Sequence, residues 1–181
     1  MEVCPADAIS FSEEARQIDR NKCNLCMACV EVCPTGAIAR VGTYMTVDEV
    51  LKEVERDRVF YQNSGGGVTI SGGEPLLQWE FARELSKRCK EKGIHVALDT
   101  AGDAPRENME RVLEYVDLVL YDIKHMDSNR HRKETGVGNE RILENIRRVA
   151  SIVRTWLRIP LVPNFNDSEQ NIREFTKFAK A

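Results

Sequence analysis

Two kinds of hydrophobic pattern alternate along this chain. One is a short run of apolar residues, and the other is a longer stretch in which apolar residues recur three and four positions apart. The short runs predict strands over residues 68–71, 94–98, 118–121 and 156–162. The longer stretches predict helices over residues 47–60, 79–92, 106–115, 140–152 and 169–180. Strands that alternate with helices in this way indicate parallel βαβ units, and therefore an α/β fold.

Two α/β architectures fit this pattern, a doubly wound sheet and part of a barrel, and periodicity alone does not separate them. In both, the functional side chains gather at the carboxyl ends of the strands. Polar and glycine residues directly follow the predicted strands, as Gly72-Gly73-Glu74, Asp99-Thr100, Asp122-Ile123-Lys124 and Pro163-Asn164. We therefore predict a functional site at this edge of the sheet.

Length and composition limit the protein classes that fit. The chain has 181 residues, of which 42% are hydrophobic, enough for one ordinary domain and a small appendage. The net charge of −3 gives no reason to expect nucleic acid or an anionic membrane as a partner. Apolar runs stay below the roughly 18 residues of a membrane-spanning helix, and the first residues lack the pattern of a signal peptide. We therefore expect a cytoplasmic protein.

Five of the six cysteines lie in the first 33 residues, which sets this segment apart from the rest. Cys23, Cys26, Cys29 and Cys33, with Pro34 after the last, have the spacing of the bacterial ferredoxin run that binds 4Fe–4S clusters. A structural zinc site is the alternative, because zinc also takes closely spaced cysteines. We predict a ferredoxin-like iron–sulfur segment over residues 1–40 and an α/β domain over residues 41–181.

An internal repeat suggests how the cysteines are shared between clusters. Residues 3–9, VCPADAI, match residues 32–38, VCPTGAI, so that Cys4 corresponds to Cys33. In two-cluster ferredoxins the fourth cysteine of each run ligates the other cluster. We therefore predict one complete set here, formed by Cys23, Cys26, Cys29 and Cys4. Cys33 would ligate a partner cluster whose remaining ligands lie before Met1.

The remaining cysteine and the histidines carry no comparable pattern. Cys89 lies in the middle of a predicted helix among apolar neighbours and is expected to be a small core residue. His95, His125 and His131 show no spacing typical of a metal site, and we assign them no catalytic role.

The segment over residues 64–76, SGGGVTISGGEPL, resembles the core motif of the glycyl radical enzyme activases. These form the pyruvate formate-lyase activating family within the radical S-adenosylmethionine enzymes. Asp99-Thr100-Ala101-Gly102, Tyr121-Asp122-Ile123-Lys124 and Trp156-x-Arg158 resemble the later strand ends of that family, in the same order. The resemblance covers residues 46–175, and the cysteine segment resembles the ferredoxin-like insert that many of these activases carry.

The resemblance implies a partial (β/α) TIM-like barrel that lacks its first and last strands. It also implies an activity, in which a 5′-deoxyadenosyl radical abstracts hydrogen from a glycine of a partner enzyme. The cofactors would be a 4Fe–4S cluster and S-adenosylmethionine. The partners would be a glycyl radical enzyme and a flavodoxin or ferredoxin-type electron donor, in an anaerobic cytoplasm.

The same resemblance implies residue roles in this chain. The backbone of Gly72 and Gly73, together with Glu74, would hold the ammonium and methionine part of S-adenosylmethionine.

Four strand-end charges and one hydroxyl would complete the site. Asp99 and Lys124 would bind the methionyl amino and carboxylate groups through charge-assisted hydrogen bonds. Asp99, Thr100 and Asp122 would also line a site for a monovalent cation. Arg158 would face the incoming glycyl loop of the partner.

One element of the family pattern does not occur in these 181 residues, the Cys-x-x-x-Cys-x-x-Cys motif that binds the radical-generating cluster. The family places it on a first strand, so we expect it upstream of Met1 and expect this piece to be inactive by itself. Two alternatives stay open. One is a ferredoxin-type electron-transfer module fused to an S-adenosylmethionine-binding domain, and the other is a different branch of radical S-adenosylmethionine enzymes.

Overall fold

The computed structural model describes residues 3–11 and 16–180. The chain divides into two units, residues 1–45 and 46–181. The sequence pattern predicts the boundary at residue 40, within the same stretch without regular structure. No helix in the described ranges is long and apolar enough to cross a membrane.

The first unit contains a short hairpin and one helical turn. Strand β1 (Ile9–Phe11) pairs antiparallel with β2 (Arg16–Ile18). Helix α1 (Ala28–Glu31) follows, preceded by Met27 in the left-handed conformation at φ 65°. Cys23 and Cys26 precede α1, Cys29 lies within it and Cys33 follows its end.

The second unit is built on a parallel sheet of four strands, β3 (Gly67–Ile70), β4 (His95–Thr100), β5 (Leu118–Asp122) and β6 (Arg154–Arg158). Their order in the sheet is β3-β4-β5-β6, so each strand pairs with the one before it. A doubly wound sheet reverses its strand order at a switch point, whereas a barrel adds strands in sequence. The observed order is therefore that of a partial barrel, as the resemblance implies.

Helices precede, connect and follow the strands of this sheet. They are α2 (Val47–Arg56), α3 (Arg58–Ser64), α4 (Trp79–Glu91), α5 (Arg106–Leu113), α6 (Ser128–Thr135), α7 (Glu140–Ile152) and α8 (Glu169–Ala179). Helix α2 begins with a capping box, in which Thr46 Oγ1 accepts from the amide of Glu49 and the Glu49 carboxylate accepts from the amide of Thr46. Helix α4 ends before Gly93, which takes the left-handed conformation at φ 70°.

Two predicted elements differ in extent from the structure, and one observed helix lies outside the predicted elements. The single helix predicted over residues 47–60 is broken at Asp57 into α2 and α3. Strand β6 covers Arg154–Arg158 rather than residues 156–162, because β5 ends opposite Arg158 and Pro160 has no amide hydrogen to donate. Helix α6 was not predicted, because its residues SNRHRKET are polar on every side and show no apolar period.

The two faces of the sheet differ in burial. Val96, Leu98, Val119 and Tyr121 are fully buried on one face and pack with apolar residues of α2, α4, α5 and α7. The register places another set together on the opposite face. On that face Asp99 pairs with Leu120, Leu120 with Trp156, and Asp122 with Arg158. We call the face that carries Asp99, Asp122, Trp156 and Arg158 the inner face.

Candidate active site at the carboxyl ends of the strands

A glycine turn follows β3 at the edge of the sheet where the sequence predicts the site. Gly72 has φ 133°, a backbone conformation that residues other than glycine rarely adopt. A Cβ added at Gly72 or at Gly73 would meet nothing within 4 Å. The turn therefore presents open backbone that a ligand is able to approach closely.

Glu74 joins this turn to the end of the neighbouring strand. The hydroxyl of buried Thr100 donates to Glu74 Oε1 at 2.6 Å, and the amide of Ala101 donates to Oε2 at 2.9 Å. The amide of Leu76 also donates to Oε1, at 3.1 Å, and begins a 3₁₀ turn over Pro75–Gln78. Both carboxylate oxygens thus accept protein donors, which fixes the position of the glycine turn relative to β4. Its contact with S-adenosylmethionine stays a prediction.

The charged residues at the ends of β4, β5 and β6 form one hydrogen-bonded network. Arg158 Nε donates to Asp122 Oδ1 at 2.8 Å, and Arg158 Nη2 donates to Asp99 Oδ1. Lys124 Nζ donates to Asp122 Oδ2 at 2.6 Å. Partial burial opposes the charge of Arg158, yet the hydrogen bond to Asp122 and the charges of both aspartates raise its pKa. The structure therefore brings together four of the predicted site residues.

Buried asparagines hold the loops that carry this network, and the sequence pattern did not predict them. Asn166 is fully buried, and its Nδ2 donates to the carbonyls of Lys124 at 2.7 Å and Pro160 at 2.8 Å. Its Oδ1 accepts from the amide of Val162 at 2.7 Å. Asn166 therefore ties the loop after β5 to the loop after β6.

Three more buried asparagines act in the same way. Asn139 Nδ2 donates to the carbonyls of His125 and Met126, and Asn171 Oδ1 accepts from the amide of Met126. Asn145 Nδ2 donates to the carbonyls of Gly102 and Ala104 in the loop after β4. Asparagine favours turns and exposed positions, so the sequence offers a signal only for Asn145 and Asn171, which lie within predicted helices.

Two histidines lie beside these loops, and neither forms part of the charged network. His131 is buried, and its Nδ1 hydrogen-bonds the carbonyl of Val137 at 2.7 Å. His125 Nδ1 accepts from the amide of Asp127 at 2.8 Å, and its Nε2 has no hydrogen-bond partner among the described residues. Burial lowers the pKa of His125, which favours the neutral ring.

The cysteines of the first unit repeat one local contact. Cys4 Sγ accepts from the amide of Ala8 at 3.3 Å, and Cys33 Sγ accepts from the amide of Ile38 at 3.4 Å. The amide of Ile38 and the hydroxyl of Thr35 lower the pKa of Cys33 to about 7. At Cys33 these contacts favour the thiolate, the form that ligates metal.

No three cysteine, histidine or acidic residues within 3–11 and 16–180 are close enough together to hold a single metal ion. The four thiolates of a 4Fe–4S cluster each bind a different iron, so they lie farther apart than the ligands of a single ion. The finding therefore applies to sites for one metal ion and does not test a cluster site. The cluster ligands proposed from the sequence stay a prediction. In the second unit Cys89 is fully buried in the apolar core, as expected.

The residues at the strand ends fit the amino-acid part of S-adenosylmethionine chemically. Asp99 and Asp122 are acceptors for an ammonium group, and Lys124 is a donor for a carboxylate. The Gly72-Gly73 turn lies after the adjacent strand and leaves open space. When bound, this cofactor would therefore meet groups of the required charge on two neighbouring strands.

Comparison with known families assigns both units. The family model of the radical SAM superfamily matches residues 20–176, and that of a 4Fe–4S dicluster domain matches residues 1–37. The two matches imply a 4Fe–4S cluster and S-adenosylmethionine as cofactors.

Relatives at the level of whole proteins agree. The isethionate sulfite-lyase activating enzyme of Oleidesulfovibrio alaskensis is 46% identical, over 98% of this chain and 59% of the relative. The (2S)-3-sulfopropanediol dehydratase activating enzyme of Klebsiella oxytoca is 42% identical, over 98% of this chain and 57% of the relative. The chain thus spans less than three fifths of the length of these two curated relatives.

A solved structure supports the same assignment. The crystal structure of a domain of the pyruvate-formate lyase-activating enzyme from Bacteroides vulgatus aligns with a TM-score of 0.59 and 46% identity. The alignment covers 62% of this chain and 71% of that domain. On the fold, the family models and these relatives, the chain belongs to the radical SAM superfamily and, within it, to the family of glycyl radical enzyme activating enzymes.

Proposed function

We propose that this chain forms part of an activase that generates a glycyl radical on a partner enzyme. The observation that carries the proposal is the network of Asp99, Asp122, Lys124 and Arg158 at the strand ends, next to the open Gly72-Gly73 turn. When bound beside a reduced 4Fe–4S cluster, S-adenosylmethionine would supply the 5′-deoxyadenosyl radical that abstracts hydrogen from the glycine. An electron carrier alone has no use for such a network.

The residues of the chain act by binding and orientation. Lys124 pairs with the methionyl carboxylate, and Asp99 with the methionyl ammonium group. Thr100 and Ala101 hold Glu74, and thereby the glycine turn, at the correct distance from β4. Arg158 extends over the inner face, where the glycyl loop of the partner enters. Cys4, Cys23, Cys26 and Cys29 of the first unit would hold a 4Fe–4S cluster, which would conduct the electron.

The partner belongs to the glycyl radical enzymes that act as lyases, decarboxylases or dehydratases on small molecules. The ferredoxin-like segment and the names of the two curated relatives, which refer to a sulfite-lyase and a dehydratase, support this class. A flavodoxin or a ferredoxin-type protein supplies the electron. A cytoplasmic, anaerobic setting is proposed because the cluster and the radical react with oxygen.

The binding of S-adenosylmethionine tests the proposal. After anaerobic reconstitution of the clusters, calorimetric titration with S-adenosylmethionine should show one site per chain. Lys124→Gln should raise the dissociation constant about tenfold or more, because a hydrogen bond to a charged group contributes about 1.5–3 kcal/mol. Lys177→Gln is the matched control, since it removes the same charge from an exposed position on α8 and should leave the affinity unchanged.

Two results would contradict the proposal. A chain that takes up iron and sulfide but binds no S-adenosylmethionine would contradict the activase proposal and leave only an electron-transfer role for the first unit. An equal loss of affinity in Lys124→Gln and Lys177→Gln would show that total charge, and not the strand-end network, determines binding.

A further inference from the structure

Arg158 connects two acidic residues that lie on two different strands. Its Nε donates to Asp122 at the end of β5, and its Nη2 donates to Asp99 on β4. The sheet order places β5 between β4 and β6, so the side chain crosses one strand to reach Asp99. The guanidinium group therefore lies over the inner face, between the two carboxylates.

The same two carboxylates are the groups that we predict from the sequence to accept a cationic ligand. Asp122 Oδ2 is already paired with Lys124 at 2.6 Å, so the Oδ1 atoms of Asp122 and Asp99 are the ones that Arg158 covers. The side chains of Asp122 and Asp99 are 15% and 25% exposed, which leaves little water to screen them. Without the guanidinium group, the only ion pair of these two carboxylates among the described residues would be that of Lys124 with Asp122, and two carboxylates with one lysine leave a net negative charge that attracts a cation.

We propose that Arg158 competes with the cationic ligand of Asp99 and Asp122, and that binding of this ligand releases the guanidinium group toward the protein partner. The cation is either a monovalent metal ion or the ammonium group of S-adenosylmethionine. The role of the released guanidinium group rests on the proposed function, whereas the competition itself does not. Arg158 is in this sense a positioning residue, which links the cofactor site to the surface that receives the glycyl loop.

The competition has a thermodynamic consequence. A ligand shifts an equilibrium only by its different affinity for the two states, and coupling between two sites is reciprocal. The cation favours the state in which Arg158 is free, and a partner that binds Arg158 favours the same state. Each should therefore tighten the binding of the other, which would retain the cofactor while the partner is docked.

Removal of the competing group provides the first test. Arg158→Gln should bind K⁺, and S-adenosylmethionine in a separate titration, about fivefold or more tightly than the parent chain. Arg154→Gln is the matched control. Arg154 lies on the same strand and face, stacks on Trp156 at 5.8 Å and forms no ion pair among the described residues. The same loss of charge there should leave both affinities unchanged.

The two titrations separate the possible cations and separate this inference from the proposed function. A gain for K⁺ alone identifies the metal ion as the competitor, and a gain for S-adenosylmethionine alone identifies the ammonium group. A gain for K⁺ in a chain that binds no S-adenosylmethionine would support the competition and reject the proposed function. Unchanged or weaker binding of both by Arg158→Gln, or an equal gain in Arg154→Gln, would overturn the competition.

A measurement on the unmodified sequence guards against a variant that fails to fold. In ¹⁵N-labelled protein, the Nε–H signal of Arg158 should shift and lose protection from exchange as K⁺ or S-adenosylmethionine saturates the site. Tetramethylammonium chloride at the same ionic strength should not cause this change, because its methyl groups keep the positive charge away from the carboxylates and it has no N–H group to donate. An Arg158 signal that stays unchanged at saturation with both ligands would overturn the proposal.

Discussion

At Gly102, the absence of a side chain allows the Tyr121 ring to pack against the loop that follows β4. Gly102 has φ 72°, and a Cβ placed there would lie 1.8 Å from Tyr121 Oη. The Tyr121 hydroxyl donates to the carbonyl of Ile142 at 2.8 Å and connects β5 to α7. Burial raises the pKa of Tyr121, so the phenol keeps the proton that it donates. One glycine therefore supports a contact between a central strand and a helix.

We expect Gly102→Ala to lower the free energy of unfolding by about 2–5 kcal/mol. About 1–2 kcal/mol comes from the left-handed backbone, and about 1–3 kcal/mol from overpacking against Tyr121. Urea denaturation would measure the loss. Gly136→Ala separates the two contributions, because Gly136 has φ 86°, an added Cβ there would meet nothing within 4 Å, and the variant should show only the backbone cost. Equal losses in the two variants would mean that Tyr121 moves aside at no cost.

The sequence predicts which charged residues form the site better than it predicts the contacts between them. Asp99, Asp122 and Lys124 were identified because they lie at the ends of predicted strands, and the structure brings them together. The pairing of Arg158 with both aspartates was not predictable. It depends on the register of three strands, which local patterns do not contain. The bonds from Thr100 and Ala101 to Glu74 were missed for the same reason.

At the level of elements, the loops at the strand ends are ordered by side chains rather than by regular structure. The loop after β5 follows Lys124, and three buried asparagines bind its backbone. Buried carbonyl and amide groups require partners, and an asparagine offers both a donor and an acceptor. The predicted extension of β6 to residue 162 was wrong at this point, since the segment pairs with Asn166 instead of a strand.

Asn166→Ala should therefore destabilise the loops after β5 and β6 together. It leaves the carbonyls of Lys124 and Pro160 and the amide of Val162 without their partner, at about 1–3 kcal/mol for each group that stays buried. Hydrogen exchange should show faster exchange of the Val162 amide, and urea denaturation should show a lower unfolding free energy. Asn63→Ala on the exposed side of α3 is the control and should change neither. Unchanged exchange at Val162 would mean that Asn166 does not order this loop.

Helix prediction succeeded where an apolar period exists. The bounds of α7 were predicted as observed, because Ile142, Ile146 and Val149 recur on one buried side. Helix α6 lacks such a period, and it begins instead with the Asp127 side chain accepting from the amide of Arg130. The break between α2 and α3 at Asp57 likewise has no local glycine or proline to announce it.

On the scale of the whole molecule, two units with different chemistry share one chain. The first carries five cysteines and little regular structure, and the second carries the sheet and the apolar core. A short segment without a large core needs another source of stability, such as a bound metal cluster. Binding of a metal cluster by the cysteines should therefore decide whether the first unit is folded.

Metal content measures this directly. After anaerobic reconstitution we expect about four irons and four sulfides per chain. Cys4→Ala should lose most of this iron, because the repeat assigns Cys4 to the cluster of Cys23, Cys26 and Cys29. Cys33→Ala should keep it, although Cys33 belongs to the same local run.

The two variants are matched, since each removes one thiol that follows a valine, precedes a proline and accepts a backbone hydrogen bond. The opposite result, with iron lost in Cys33→Ala and kept in Cys4→Ala, would mean that Cys33 binds the same cluster as Cys23, Cys26 and Cys29. Zinc in place of iron would reject the electron-transfer role of this unit and leave the strand-end site as the basis of function.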